Sequence, residues 1–460
     1  MKHFMVLWLL GLVGASALQA QTAANRQKLD SIAATFVAAN RTVGMVVAMV
    51  KGDDTLLMKA YGKADVEWDV PMQTDAMFEI GSVSKQFAAV SILQLRDAGK
   101  LSLDDRLSKW LPDVPGADRI TLRHLLSHTS GVFGFADQDE FEINWFAPRY
   151  PRDSAYRLVK LDPFAFQPGT GQNYSNSGFW ILGRVVELAS GMKYEDYLRK
   201  QIFEPLGMRR SMYCDSDANI PRRAHGYNLV NGAIRRAPKV SYAWVFAPGA
   251  VCSTAGDLIT WTKALHGGRV LSPRSYAEMT TQATLDDGTR LQYGMGIKVG
   301  EEYRGLKYIG HGGTAPGFRS DVAWYPDGQL AVVVLINTSP TNLVPGGVSF
   351  LLAAQVLPLP RPTMTYYTGD ATDLVGKYQT VNGARIGNVT IAITRTDSGL
   401  AIVPPTPGAR PALLAWAGGL RFYASDNTTI TFRRANGDTG PVIEMRRDNA
   451  GNHAILKKVP

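Results

Sequence analysis

Phe78-Glu79-Ile80-Gly81-Ser82-Val83-Ser84-Lys85-Gln86-Phe87 is the stretch on which the reading of the chain turns. It reads as the end of a strand or turn running into a helix, because Ala88, Ala89, Val90, Ile92, Leu93 and Leu95 follow at three-and-four spacing. Ser82 and Lys85 are three apart, so on that helix they lie one above the other on one face. A serine hydroxyl is a poor nucleophile until a base takes its proton. A lysine held beside it, and pushed to lose its charge, can be that base. The helix start helps twice: its free N–H groups can stabilise an oxyanion at Ser82, and its positive end disfavours a protonated Lys85.

The same spacing recurs at Ser190-Gly191-Met192-Lys193, after a helical run from Ile181 to Leu188. That copy carries a glycine and reads as a helix end. S-x-x-K is therefore weak by itself, and its neighbours must decide. Upstream, Gly44–Val50 and Thr55–Gly62 read as two strands joined by a turn at Lys51–Asp54. A helix over Asn25–Ala39 precedes them. Downstream, Phe166–Gly178 is a Gly- and Pro-punctuated loop with Tyr174 and Asn176 just ahead of an apolar helix, Phe179–Leu188. Ser253 or Thr254 is positioned to cap a helix over Leu258–Leu265. Lys307–Thr314, with His311-Gly312-Gly313, leads into strands Ser320–Tyr325 and Gln329–Ile336, and a helix over Val348–Val356 closes this part. Strands near both ends with helices between them predict an α+β domain built on one sheet.

A Pro-rich linker follows at 358–369. Beyond it, short alternating segments at Val389–Arg395, Leu400–Val403, Arg421–Ala424, Thr428–Arg434, Val442–Arg447 and His453–Lys458 predict a small all-β, barrel-like domain over 370–460. The aromatic and acidic segment Asp137–Arg152 (Phe141, Trp145, Phe146, Tyr150) suits either local packing or a cleft wall.

The 460 residues are 45% hydrophobic and 19% charged, a globular composition long enough for two domains. The net charge of +9 is spread over scattered Arg pairs with no basic run, which argues against nucleic acid as partner. Lys2 and His3 precede an apolar run, Phe4–Val13, and small residues up to Ala20; this is the layout of a signal peptide, cleaved after Ala20 or Ala17. No Cys lies there for a lipid anchor, and no other stretch predicts a transmembrane helix. The expectation is a periplasmic or secreted protein with no stable membrane anchor and a first domain over 21–357. Cys214 and Cys252 either bridge or stay as free thiols. With no Cys/His cluster at ligand spacing, neither a metal nor a cofactor is expected.

Ser82…Lys85, Tyr174…Asn176 and His311-Gly312-Gly313, in that order, resemble the marks of the serine β-lactamase and penicillin-binding-protein superfamily, whose usual forms are S-x-x-K, S-D-N and K-T-G. The tyrosine points to the class C-type branch, with its D-alanyl-D-alanine carboxypeptidase, D-aminopeptidase and esterase relatives. Leu125–Gly131, Ile202–Met208 and Ser253–Asp257 extend the resemblance over about residues 30–357. It implies a β-lactamase-like antiparallel sheet with a helical insert, and a lipocalin-like barrel after it. Ser82 is then the acylated nucleophile, with Lys85 lowering its proton affinity. Tyr174 is a phenolate-type base and later an acid. Asn176 holds the substrate amide, and backbone N–H groups of Ser82 and Thr314 form the oxyanion hole. Unperturbed Tyr and Lys titrate near ~10 and ~10.4, so both need help at neutral pH.

The chain departs from the usual pattern at His311, where Lys ordinarily meets a substrate carboxylate, and at Gly312, which lacks a hydroxyl. His311, Gly313 and Thr314 would still line the substrate, and Arg319 could restore a charge. His128 invites a Ser-His-Asp reading, but the resemblance places it in a structural turn. The reading is an exported serine hydrolase acting on an amide or ester, such as a D-amino-acid peptide, peptidoglycan-derived peptides included, or a small ester. The alternatives are a class C-like β-lactamase and a non-catalytic binding protein for peptidoglycan fragments.

Overall fold

The computed structural model describes residues 24–132, 134, 152–159, 166–214, 219–301, 304–360, 363–380, 389–403, 411–424, 428–436, 439–449 and 452–459. The expected signal peptide and most of the aromatic segment at 137–152 lie outside them.

The apolar run after the first helix (residues 24–38) becomes strand β1 (Gly44–Lys51), buried at every residue but the last. The two-residue period of a strand divides it between two cores. Val46 and Ala48 face one, and Met45, Val47 and Met49 the other. A strand with two apolar faces belongs in mid-sheet, covered on both sides.

In chain order the other strands of this part are β2 (Asp54–Asp65), β3 (Val70–Pro71), β4 (Phe78–Glu79), β5 (Met212–Tyr213), β6 (Tyr227–Val230), β7 (Ala233–Arg236), β8 (Val251–Ser253), β9 (Lys298–Glu301), β10 (Lys307–Ala315), β11 (Phe318–Tyr325) and β12 (Leu330–Ile336). The main sheet runs β3-β2-β1-β12-β11-β10-β9. Antiparallel pairing of Met45 with Ile336 joins the chain's early strands to its later ones.

Helices Ser84–Asp97, Asn176–Ser190 and Ala255–His266 cover one face. The helix at 24–38 and helix Pro345–Ala353 cover the other. The Ser84–Asp97 helix is buried at every position from Ser84 to Leu93, which makes it the central helix of its layer. Phe87 packs on Trp261 and Phe203, with ring centroids 4.2 and 5.5 Å apart, and burying such a ring contributes about 1.5–3 kcal/mol. Of the two cap candidates, Thr254 caps: its hydroxyl accepts from Asp257 N–H.

A small sheet, β4-β8-β5, braces the chain just ahead of Ser82. Glu79 and Met212 both face Cys252 across it. This pairing brings Cys214 to Cys252, and they form a disulfide.

Among the described residues, strands from Gly376–Thr380 to Asn452–Val459 form a second, nine-stranded antiparallel sheet around its own core of Tyr378, Ile393, Phe422, Ile430, Phe432 and Met445. Its two edge strands, Ala412–Leu413 and Ala415–Gly418, are consecutive in the chain and meet at Leu414, so the sheet nearly closes into a barrel. Those two strands and Gly376–Thr380 are not singled out by the sequence pattern. They are short, and neither GKYQT nor AWAG alternates strongly. No helix among the described residues is long and apolar enough to cross a membrane.

Candidate active site

Ser82 sits in a short 3-10 turn, Gly81–Val83, that feeds the Ser84–Asp97 helix. Ile80 N–H donates to Val251 O at 3.1 Å and Val251 N–H donates to Ser84 Oγ at 3.1 Å, so β8 grips the turn from both sides of Ser82. From the other direction β10 touches it backbone to backbone. A Cβ on Gly81, whose φ is 51°, would lie 2.6 Å from Thr314 O, and one on Gly313 would lie 1.9 Å from Ile80 O. Only glycines permit that approach, which brings Thr314 beside the residue preceding Ser82.

Lys85 is wholly buried. Its Nζ donates to Ser82 Oγ at 3.1 Å, to Asn176 Oδ1 at 2.7 Å and to Pro248 O at 3.1 Å. Burial holds the ammonium well below its ordinary pKa. Asn176 opens the next helix, where Ser175 caps by accepting from Gly178 N–H at 3.0 Å. Lys85 donates an N–H to Asn176 Oδ1, which leaves the Asn176 NH2 for the cleft.

Tyr174 lies against Lys85, with Nζ 4.6 Å from its ring centroid. Burial pushes its phenol well up, only partly offset by the Ser82 hydroxyl. The Tyr174 hydroxyl has no hydrogen-bond partner of ordinary geometry among the described residues. The two groups thus move apart: burial favours a neutral amine at Lys85 and an intact phenol at Tyr174. The phenolate that the resemblance implies is disfavoured in the free site, because no cation offsets the burial of Tyr174.

His311 belongs to a directional chain. Ser175 N–H donates to His128 Nδ1 at 3.1 Å, which leaves the proton of a neutral His128 on Nε2. That Nε2 lies 3.2 Å from Tyr293 OH, Tyr293 OH lies 3.0 Å from His311 Nε2, and His311 Nδ1 lies 2.6 Å from Gly312 O. With both imidazoles neutral, each contact has one donor and one acceptor. Burial, reinforced by the nearby charge of Lys298, holds His311 well below the usual imidazole range, and burial does the same to His128. His311 is therefore a neutral group locked in one tautomer. His128, at a φ of 61°, lies tilted against Tyr174 with centroids 4.3 Å apart, and its ring nitrogens meet Ser175 N–H and Tyr293 OH rather than Ser82, in keeping with a structural turn.

Ser82, Tyr174, Asn176, His311, Gly313 and Thr314 line one cleft of about 890 Å³, with Lys85 beneath Ser82. All seven residues singled out in the sequence come together. Arg319 also lines the cleft, where its guanidinium donates to Thr341 O and Leu343 O. Two contributors were not foreseen. Tyr293 sits in a Gly-rich loop with no motif, and Asn452 comes from the barrel. Among the described residues, Asp65, Glu67 and His225 could approach a metal ion. The Arg236 guanidinium already pairs with both carboxylates there, so that cluster reads as a surface ion-pair network.

A family model described as Beta-lactamase matches residues 29–353. Penicillin-binding protein 4* of Bacillus subtilis (strain 168) is 28% identical over 328 residues, 68% of this chain and 72% of that protein. A D-aminopeptidase of Brucella anthropi is 29% identical over 304 residues, 64% of this chain and 56% of that protein. Among solved structures, a D-stereospecific amidohydrolase from Streptomyces sp. superposes with a TM-score of 0.61 at 25% identity, covering 73% of this chain and 98% of that one.

Proposed function

The chain belongs to the beta-lactamase family and is a serine hydrolase; on that premise we propose that it cleaves an amide bond next to a D-amino acid through an acyl-enzyme on Ser82. The observation that carries this reading is the buried Lys85, 3.1 Å from Ser82 Oγ and without a carboxylate neighbour among the described residues. As a neutral amine it accepts the Ser82 proton while Oγ bonds to the substrate carbonyl carbon. The oxyanion falls to the backbone N–H groups of Ser82 and Thr314. Tyr174 gives its proton to the leaving nitrogen as the C–N bond breaks and is reprotonated from Lys85, so the free hydroxyl of Tyr174 acts as acid first. Asn176 NH2 holds the substrate amide. In the second half a water takes the leaving group's place and frees Ser82.

The D-aminopeptidase and D-stereospecific amidohydrolase relatives favour a D-amino-acid amide or peptide over an ester. Neutral His311 and the bare Gly312 offer no charge to a substrate carboxylate, which weighs against carboxypeptidase and β-lactamase activity. A protein that only bound ligand would gain nothing from a buried lysine at Ser82, a feature that costs stability. The signal-like N-terminus and the Cys214–Cys252 bridge support export to an oxidising compartment.

The test is an intact-mass and turnover time course with a D-amino-acid amide panel and a penicillin, with Ser82→Ala as control. We expect turnover of the amides, lost in the variant, and slow or absent penicillin acylation. Amide turnover that survives in Ser82→Ala would overturn the assignment.

A further inference from the structure

The barrel reaches into the cleft. Asn452 stands where the hairpin between strands Thr439–Asn449 and Asn452–Val459 returns. Its side chain lines the same cleft as Ser82, Tyr174 and Asn176. Tyr174 N–H donates to Asn452 Oδ1 at 2.9 Å. The next residue continues the contact: His453 N–H donates to Gln172 O at 3.2 Å in an antiparallel bridge.

The hairpin is held from behind. Gln292 N–H donates to Asp448 Oδ2 at 3.1 Å and Gln292 Nε2 to Thr429 Oγ1 at 2.5 Å. Tyr423 OH donates to Glu301 Oε2 at 2.9 Å, and Arg446 Nη2 to Asp287 Oδ2 at 3.0 Å. Several fixed points on the segment beside Tyr293 thus set the position of one exposed side chain.

Asn452 has one acceptor and one NH2 on its amide. The acceptor is taken by Tyr174, which orients the NH2 away from that bond; it has no partner among the described residues. Tyr174 is the group that protonates the leaving nitrogen in the reaction proposed above, and Asn452 is bonded to the backbone of that residue and lines the same cleft. We propose that Asn452 is a specificity-determining residue whose NH2 donates to the first carbonyl beyond the scissile bond. The preferred substrate is then a peptide, whose leaving group carries a carbonyl, over a simple amide, whose leaving group is ammonia. This rests on the amide-hydrolase reading of the Ser82 site.

Asn452→Asp separates docking from substrate contact, because a carboxylate still accepts from Tyr174 N–H but has no NH2 to donate. The measurement is calorimetric binding of D-alaninamide and D-alanyl-glycinamide to full-length Ser82→Ala, with and without Asn452→Asp, alongside turnover of both by Ser82-containing protein. We expect D-alanyl-glycinamide to bind more tightly than D-alaninamide, and the ratio of the two affinities to fall about tenfold in Asn452→Asp. Asn452→Ala should lower the ratio too, and Asn452→Gln should restore part of it. Equal losses for both ligands, an unchanged ratio, or no measurable binding of the dipeptide amide would each overturn the proposal. Failure of the amide-hydrolase reading would show separately, as absent turnover by the Ser82-containing protein.

Discussion

Ser190-Gly191-Met192-Lys193 repeats the spacing of Ser82-Val83-Ser84-Lys85 and shares none of its surroundings. Ser190 ends a helix, Gly191 takes a φ of 72°, Lys193 is exposed, and the Ser190 hydroxyl accepts from Met192 N–H at 3.1 Å. Ser82 lies in the turn that starts the central helix, over a lysine that water does not reach. The two His-Gly-Gly triplets make a subtler pair. His311 is buried and His266 half-buried, and both meet a tyrosine hydroxyl, Tyr293 at 3.0 Å and Tyr276 at 2.8 Å. His311 lines the cleft, and His266 closes a helix against Trp324. In each pair the residue types are the same. What differs is desolvation and what else converges on the group, and those set reactivity.

The comparison breaks most visibly at the lysines. Lys85→Met should lower kcat/KM about 10²–10⁴-fold, the usual scale of a lost proton acceptor, whereas Lys193→Met should leave it unchanged. Stability should move the other way with pH. The folded chain binds the Lys85 proton less tightly than the unfolded chain, whose lysine titrates near 10.5. Between the lowered value and 10.5 the unfolded chain therefore holds more protons, and stability gains as pH rises through that window. Lys85→Met has no such gain, so its Tm relative to the parent should be highest near pH 7 and decline toward pH 10. Parallel Tm curves for the two proteins would show that burial does not perturb Lys85.

Next in size is the glycine pair. Gly313→Ala drives a Cβ into Ile80 O and must push β10 off the Ser82 turn. We expect a loss of about 1–3 kcal/mol in stability and, through displaced Thr314 N–H, about 10²–10³-fold in kcat. Gly191→Ala meets open space at a positive φ, so it should cost about 1–2 kcal/mol and no activity. Urea unfolding and single-turnover acylation measure both. Equal kcat values would detach β10 from the oxyanion site.

These contrasts also mark what the sequence could convey. The apolar run of β1 and the three-and-four spacing after Ser82 are local, and they foretold a strand and a helix; the strand's place in mid-sheet and the helix's at the centre of its layer came only with the fold. The seven candidate residues could be named because each lies in a short motif, and the fold brings them to one place. Burial was not legible, which is why the resemblance implied a phenolate at Tyr174 where burial favours the phenol. Contacts closed over long stretches were not legible either. Asn452 lies 278 residues from the Tyr174 that it binds, in a segment with no motif. Cys214 and Cys252 left two alternatives open until β5 and β8 paired and set their Cα atoms 5.2 Å apart. Tyr293 carries no pattern of its own; its role follows from the two imidazoles that the fold places on either side of its hydroxyl.

The histidine pair yields the smallest effect and the finest separation. Burial keeps His266 down at about 3, and His311 is also held well below the ordinary 6.5. Below pH 6.5 the unfolded chain takes up a proton at each of these positions while the folded chain refuses it. Stability therefore falls on acidification, by up to about 1.4 kcal/mol per pH unit for each histidine. His311→Gln and His266→Gln should each make the acid limb of the stability curve shallower by a similar slope, read as ΔG of unfolding between pH 7 and 5. Activity should distinguish them. His311→Gln disturbs the chain from Tyr293 to Gly312 and should raise KM several-fold with a smaller change in kcat, whereas His266→Gln should leave both as they were. If the two substitutions flattened the stability curve equally and also left KM equal, the Tyr293–His311 chain would be packing alone, with no part in holding the substrate edge of β10.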